Sequence, residues 1–245
     1  MKLSTSTLLS LVLFTIEALS LPTESTKSFD ITDLANTDLT PEEFFLTLPE
    51  PQGLTKRQYS GSTYNQLTDG TACRPVTVIY ARGTSQAGNV GDSAAVGPLF
   101  FNNLSSRLGG TTQLAIQGVT YSASVSGYLQ GGDATGSTTM TNLISTAATR
   151  CPSTKIVLAG YSQGAQLVHN AAQRISAANA ARVAAVVVFG DPKRGQSFGS
   201  ITASKIRTIC HTGDNICEGG TTITAAHLNY QQDAPAAATF VAGKV

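Results

Sequence analysis

An α/β fold, a three-layer sandwich with a central five-stranded parallel sheet, is predicted by three observations. Short apolar runs alternate with helix-like segments from residue 76 to the end of the chain, the order that winds helices onto both faces of a parallel sheet. Val183–Phe189 (VAAVVVF) lacks polar alternation, as expected of a strand covered on both sides. Residues 155–172 read as a β-branched strand, a glycine-flanked turn and then a run of helix formers.

The chain begins with segments that precede this pattern. Met1–Ser20 has a lysine near its start, an apolar stretch from Leu8 to Ile16, and small residues at Ala18 and Ser20. That is the form of a secretory signal peptide cleaved near Ser20. The apolar stretch is too short to span a bilayer, and no later stretch is long enough. From Leu21 to Glu50 acidic residues face Lys27 alone, and the segment closes on the dibasic pair Lys56-Arg57. Residues 21–57 are expected to be a propeptide removed at Arg57, so the chain is read as a zymogen whose mature form begins at Gln58.

Residues 58–245 make one domain with room for a single core. The whole chain carries a net charge of +1; without the acidic leader the balance is roughly +5. The basic residues are scattered and lack interleaved aromatics, so nucleic acid is not an expected partner. A monomer is expected, with no metal or other cofactor. Four cysteines, Cys73, Cys151, Cys210 and Cys217, follow a secretory leader and point to two disulfides, in any of three connectivities. Asn103-Leu104-Ser105 is a sequon, making Asn103 the candidate glycan acceptor.

Strands are expected at Val76–Tyr80, Gln113–Gln117, Lys155–Ala159, Val183–Phe189 and Lys205–Cys210. Helices are expected near Asp92–Arg107, Gly136–Arg150, Ala165–Ser176 and Ala234–Ala242. Ligand sites in such a sheet lie at the carboxyl ends of the strands. The loops that should carry function are therefore Ala81–Gly91, Gly160–Gly164, Gly190–Gly195 and His211–His227.

Gly160-Tyr161-Ser162-Gln163-Gly164 sits in the second of these loops. Strand, G-x-S-x-G, helix is a nucleophile elbow, which lifts a serine hydroxyl above the sheet; glycines flank it because a Cβ there would strike neighbouring backbone. A serine hydroxyl needs an imidazole to take its proton, and the imidazole needs a carboxylate to hold its tautomer. In α/β-hydrolases the chain order is Ser, acid, His. His169 lies two turns along the elbow's own helix and cannot reach back. His211 has only Asp191 between it and Ser162, whereas His227 follows Asp214, Glu218 and a Thr/Gly loop. His227 is the expected base. Asp214, between Cys210 and Cys217, is the preferred acid; Asp191 in Gly190-Asp191-Pro192 also follows a strand and stays open as a rival.

Cys73-Arg74-Pro75-Val76-Thr77-Val78-Ile79-Tyr80-Ala81-Arg82-Gly83-Thr84 with Gly88-Asn89-Val90-Gly91 resembles the first strand and oxyanion loop of fungal cutinases. Gly160–Ala165 resembles their nucleophile motif. Thr212-Gly213-Asp214 with Cys217, then Ala226-His227-Leu228-Asn229-Tyr230, resembles their acid and base segments. The resemblance runs in order through essentially all of residues 58–245. It implies a lidless α/β-hydrolase that cleaves esters, with Ser162, Asp214 and His227 as its triad and disulfides Cys73–Cys151 and Cys210–Cys217. Thr84, where family members often have Ser, and the backbone N–H of Gln163 would bind the oxyanion.

The expected activity is that of a secreted cutinase or carboxylesterase acting on cutin-like polyesters and on short- to medium-chain esters. Val125, Tyr128, Leu129 and Ile223 are the candidates for an apolar groove wall. Thr221 and Thr222 make the rim more polar than in the best-known plant-pathogen cutinases. Related acetylxylan esterases, built for small acyl groups on sugars, supply the alternative reading. A secreted protein that keeps the fold and only binds is the alternative outside catalysis.

Overall fold

The computed structural model describes residues 28–30 and 58–245. The expected signal peptide, and the propeptide apart from residues 28–30, lie outside the described residues. Seven strands are described: β1 (Ser28–Asp30), β2 (Val76–Ala81), β3 (Leu114–Gly118), β4 (Lys155–Tyr161), β5 (Val183–Phe189), β6 (Ile206–Ile209) and β7 (Thr222–Thr224). The helices are α1 (Val96–Leu108), α2 (Val125–Leu129), α3 (Ala134–Arg150), α4 (Gln163–Arg174), α5 (Ala177–Arg182), α6 (Ala225–Leu228) and α7 (Ala234–Ala242).

Strands β2 to β6 form the expected five-stranded parallel sheet, in the order β3-β2-β4-β5-β6. Successive side chains of one strand enter different cores, as the two-residue period of a strand requires. Ile79, Ala81, Ile156, Leu158, Val186 and Val188 pack with α3, α4 and α5. Val76, Val78, Tyr80, Val157, Ala159, Val187 and Phe189 pack with α1 and α7. Both faces are therefore covered, which is why β5 tolerates no polar residue.

This strand order creates the crevice that a site needs. The chain leaves β2 for β3 on one side, then returns to β4 on the other side of β2. The carboxyl ends of β2 and β4 are neighbours, with Ala81 opposite Gly160 in register, and their following loops diverge around a gap.

Several boundaries differ from the sequence expectation for local reasons. Helix α1 starts at Val96 rather than near Asp92, because the Asp92 carboxylate accepts from the N–H groups of Ala94 and Ala95 at 2.8 and 3.0 Å and holds a turn there. Residues Thr111–Gln113 are a 3₁₀ turn, so β3 begins at Leu114. Helices α2, α5 and α6 and strand β7 were not expected; at three to six residues they are too short to show a period. Strand β1 lies antiparallel to β7, with Phe29 opposite Ile223. Disulfides join Cys73 to Cys151 and Cys210 to Cys217.

Candidate active site

Ser162 stands where β4 turns directly into α4, with φ of 55° and ψ of −119°. That conformation is costly for a residue with a Cβ and persists because the surroundings enforce it. The glycines on either side are steric necessities. A Cβ on Gly164 would sit 1.9 Å from the Ala81 carbonyl oxygen, and one on Gly160 would sit 2.5 Å from the Gly164 backbone. The turn therefore presents the Ser162 hydroxyl at the carboxyl end of the sheet.

The Ser162 Oγ is 3.0 Å from Nε2 of His227, and His227 Nδ1 is 2.9 and 3.0 Å from the two carboxylate oxygens of Asp214. A carboxylate can only accept, so Nδ1 carries the ring proton and Nε2 offers its lone pair to the serine O–H. His227 lies on α6, its ring stacked on Tyr161 at 5.2 Å, and Tyr161 Oη donates to the His227 carbonyl at 2.8 Å. The imidazole is thus held from its face and from its backbone.

Asp214 precedes the 3₁₀ turn Asn215–Glu218, inside the loop closed by Cys210 and Cys217. Burial alone would raise its pKa. The His227 hydrogen bond and charge, with donors from Tyr230 Oη and the Ile216 N–H, outweigh burial and hold the carboxyl below its usual range. Those two donors lie at 2.7 and 3.0 Å. Asp214 therefore stays ionised in a buried setting, so it can balance positive charge on an imidazole beside it.

Across the gap, the loop after β2 places Thr84 opposite the elbow. The Gln163 side-chain amide donates to Thr84 Oγ1 at 2.9 Å and to the Ser124 carbonyl at 2.8 Å. Because Oγ1 accepts from Gln163, the Thr84 hydroxyl proton is left to be donated elsewhere. The backbone N–H of Gln163 opens α4 and has no acceptor within the helix. Donors at a helix N-terminus favour a developing negative charge. The loop itself is braced by Arg82, buried, whose guanidinium donates to the carbonyls of Gln86 and Tyr121 at 2.6 and 2.9 Å.

Of the four groove candidates, Val125, Tyr128 and Ile223 come together with Ile216 and Leu228 in one small buried cluster beside the triad. Tyr128 Oη donates to the Gly220 carbonyl at 2.6 Å, tying α2 to the loop before β7. Leu129 is left out of the cluster and is 53% exposed. The last residue of a one-turn helix points away from the face its neighbours bury.

The rival acid and the other two histidines lie elsewhere. Asp191 binds Nε2 of His169 at 2.9 Å; both side chains are fully buried, and His169 stacks on Phe198. Asp191 is therefore spent on a pair that clamps α4 to the loop after β5. His211 binds Asp233 at 2.7 Å. Asn103 lies within α1, its side-chain amide donating to the Leu99 carbonyl at 2.9 Å. Sequence reasoning missed Tyr161, Tyr230 and the Gln163 side chain, since an aromatic beside a motif gives no signal until its hydroxyl finds a partner. Among the described residues no group of three or more His, Cys, Asp or Glu could hold a metal ion.

The cutinase family model matches residues 72–245. The chain belongs to the cutinase family. It is 49% identical over 173 residues to a cutinase of Monilinia fructicola, covering 71% of this chain and 84% of that protein. A cutinase of Botryotinia fuckeliana is 47% identical over 173 residues, with 71% of this chain and 84% of that protein covered. Among solved structures it resembles a Trichoderma reesei cutinase in complex with a C11Y4 phosphonate inhibitor, at a TM-score of 0.68 and 45% identity, covering 74% of this chain and 78% of that one. The catalytic core of a Trichoderma reesei acetyl xylan esterase, at 22% identity and a TM-score of 0.55, shares the fold. That match covers 71% of this chain and all of that one. The five-stranded sheet of this cutinase-family chain is thus the fold of its relatives.

Proposed function

We propose that this chain is a secreted serine esterase that hydrolyses cutin-like polyesters and short- to medium-chain soluble esters through an acyl-enzyme on Ser162. The observation that carries the reading is the continuous Ser162–His227–Asp214 hydrogen-bond chain at a glycine-flanked elbow. Ser162 Oγ attacks the ester carbonyl as His227 Nε2 takes its proton. The carbonyl oxygen becomes an oxyanion held by Thr84 and the Gln163 N–H, each donor worth about 3–4 kcal/mol. The tetrahedral adduct collapses, the C–O bond breaks, and His227 returns the proton to the leaving alkoxide. Water then repeats the sequence on the acyl-enzyme, its proton passing to His227 and then to Ser162, which releases the acid. Asp214 orients His227 and stabilises its charged form in both halves.

The cutinase names of the relatives support this substrate class, and so does a relative solved with a phosphonate, a mimic of the tetrahedral adduct. Titration with a phosphonate ester tests the reading: one equivalent should abolish activity and add mass to the peptide bearing Ser162. Activity that survives stoichiometric labelling would overturn it. The polar rim residues Thr221 and Thr222 favour a second reading, deacetylation of polysaccharide. Esters of two to sixteen carbons, run beside insoluble cutin and acetylated xylan, separate the two.

Secretion follows in this reading from the leader Met1–Ser20, with maturation at Arg57 yielding a chain that starts at Gln58. The leader's composition supports this, as does the placement of all four cysteines beyond Arg57. Among the described residues no helix is long and apolar enough to cross a membrane. N-terminal sequencing and intact mass of protein from culture medium check cleavage and any glycan on Asn103.

A further inference from the structure

A second imidazole–carboxylate pair lies directly behind the triad, and nothing in the mechanism above uses it. His211 Nε2 is 2.7 Å from Asp233 Oδ2, and its Nδ1 is 2.9 Å from the carbonyl oxygen of Ala226, the residue before His227. The ring thus bridges the Asp233 carboxylate to the backbone one residue before His227. Its ring lies flat on Tyr230, with centroids 4.0 Å apart and planes 14° from parallel. The His211 backbone N–H also donates to Tyr230 Oη at 2.9 Å. That phenol in turn donates its own proton to Asp214 Oδ2 at 2.7 Å.

We infer that Tyr230 is a positioning residue that fixes Asp214, and that the His211–Asp233 pair holds both Tyr230 and the chain entering His227. The inference rests on the triad reading above. The phenol has one rotatable proton and three polar neighbours, of which the Cys217 disulfide sulfur at 3.6 Å is a far weaker and more distant acceptor than the carboxylate at 2.7 Å. The amide of His211 is a donor, so the Tyr230 proton is left with the carboxylate as its acceptor. The buried phenol is acidified less readily than usual, its pKa pushed up by burial and by the neighbouring carboxylate, so it remains a donor. The His211 ring stacked flat on Tyr230 holds the plane from which the O–H reaches Asp214. Asp214 thus receives fixed donors from Tyr230 and from Ile216, and the oxygens facing His227 cannot swing away.

A double-mutant cycle tests this. Tyr230→Phe keeps the ring and removes only the hydroxyl; kcat per folded enzyme should fall roughly tenfold, with KM unchanged. In the Asp214→Asn background the same change should cost less than about twofold, because the group it acts through is gone. The low-field proton resonance of His227 Nδ1–H should shift in Tyr230→Phe and keep its position in a control such as Lys155→Ala, exposed at the amino end of β4, the end away from the elbow. An equal loss in both backgrounds, or no loss in either, would overturn the inference. If Asp214→Asn alone left turnover intact, the triad reading would fail first, so the two failures are distinguishable. Should Tyr230→Phe not fold, His211→Asn and Asp233→Asn carry the same cycle, with the same outcomes.

Discussion

Thr84 and Gln163 are joined by a 2.9 Å hydrogen bond that crosses the gap between the carboxyl ends of β2 and β4. The bond has a direction: the amide of Gln163 donates and the Thr84 oxygen accepts, so the threonine proton is left available to an acceptor that enters the gap. One side chain of the elbow helix thereby orients a donor on another loop. Thr84→Val, which keeps shape and loses the hydroxyl, should lower kcat by about a hundredfold, and Thr84→Ser should stay within a few-fold of the parent. Initial rates on a soluble butyrate ester check both. Equal activity in Thr84→Val would remove Thr84 from the oxyanion site.

Ser162→Ala should reduce turnover by up to about a millionfold, and Asp214→Asn by about ten-thousandfold. Asp191→Asn should behave differently. It breaks a fully buried pair with His169, so it should cost about 3–5 kcal/mol of stability while sparing turnover per folded molecule. Denaturant titration and activity on the same samples separate the two effects. A greater catalytic loss at Asp191 than at Asp214 would reverse the assignment of the acid.

The pH dependence of stability follows from Asp214. Its carboxyl is held below its usual value of 3.8 in the folded protein, through the His227 bond and charge, Tyr230 and Ile216, against the opposing effect of burial. A depressed carboxylate pKa stabilises the fold above the unfolded value, about 4, and that contribution drains away as pH falls through the folded value. Melting curves from pH 6 to pH 2.5 should show the parent losing stability faster than Asp214→Asn below about pH 4. Parallel curves would mean that the carboxylate gains nothing from folding.

Gly164→Ala should disrupt the elbow rather than adjust it. The added carbon would meet the Ala81 carbonyl oxygen at 1.9 Å, and both partners are backbone of packed elements. A cost above about 3 kcal/mol is expected, with loss of phosphonate labelling in whatever folds. A stable, fully labelled variant would show that α4 can shift.

The disulfides should separate by consequence. Cys210–Cys217 spans 7 residues around Asp214, worth about 2.5 kcal/mol in the chain-entropy account, and Cys73–Cys151 spans 78, worth about 4.5 kcal/mol. Replacing the short bridge by two serines should lower turnover per titrated site more than stability; replacing the long one should lower the melting temperature and leave turnover. Unchanged turnover without the short bridge would make it an ordinary staple.

The sheet and the elbow could be read from the chain because they rest on local patterns. A strand buried on both faces must be apolar throughout, as Val183–Phe189 is, and a sharp strand-to-helix turn must have glycine where Ala81 and the helix backbone approach Ser162. Chain order brought His227 forward for a similar reason, since His169 is tied to the elbow helix itself. Other features were decided only by folding. Asp191 and Asp214 both follow strands, and chain pattern prefers Asp214 without excluding its rival; only packing shows that one faces His169 and the other His227. Tyr230, His211 and the Gln163 amide act through hydrogen bonds between residues 15 to 79 positions apart, which no local period records. Leu129 sits one residue from Tyr128, yet a single helical step of about 100° carries it from the buried cluster to the surface.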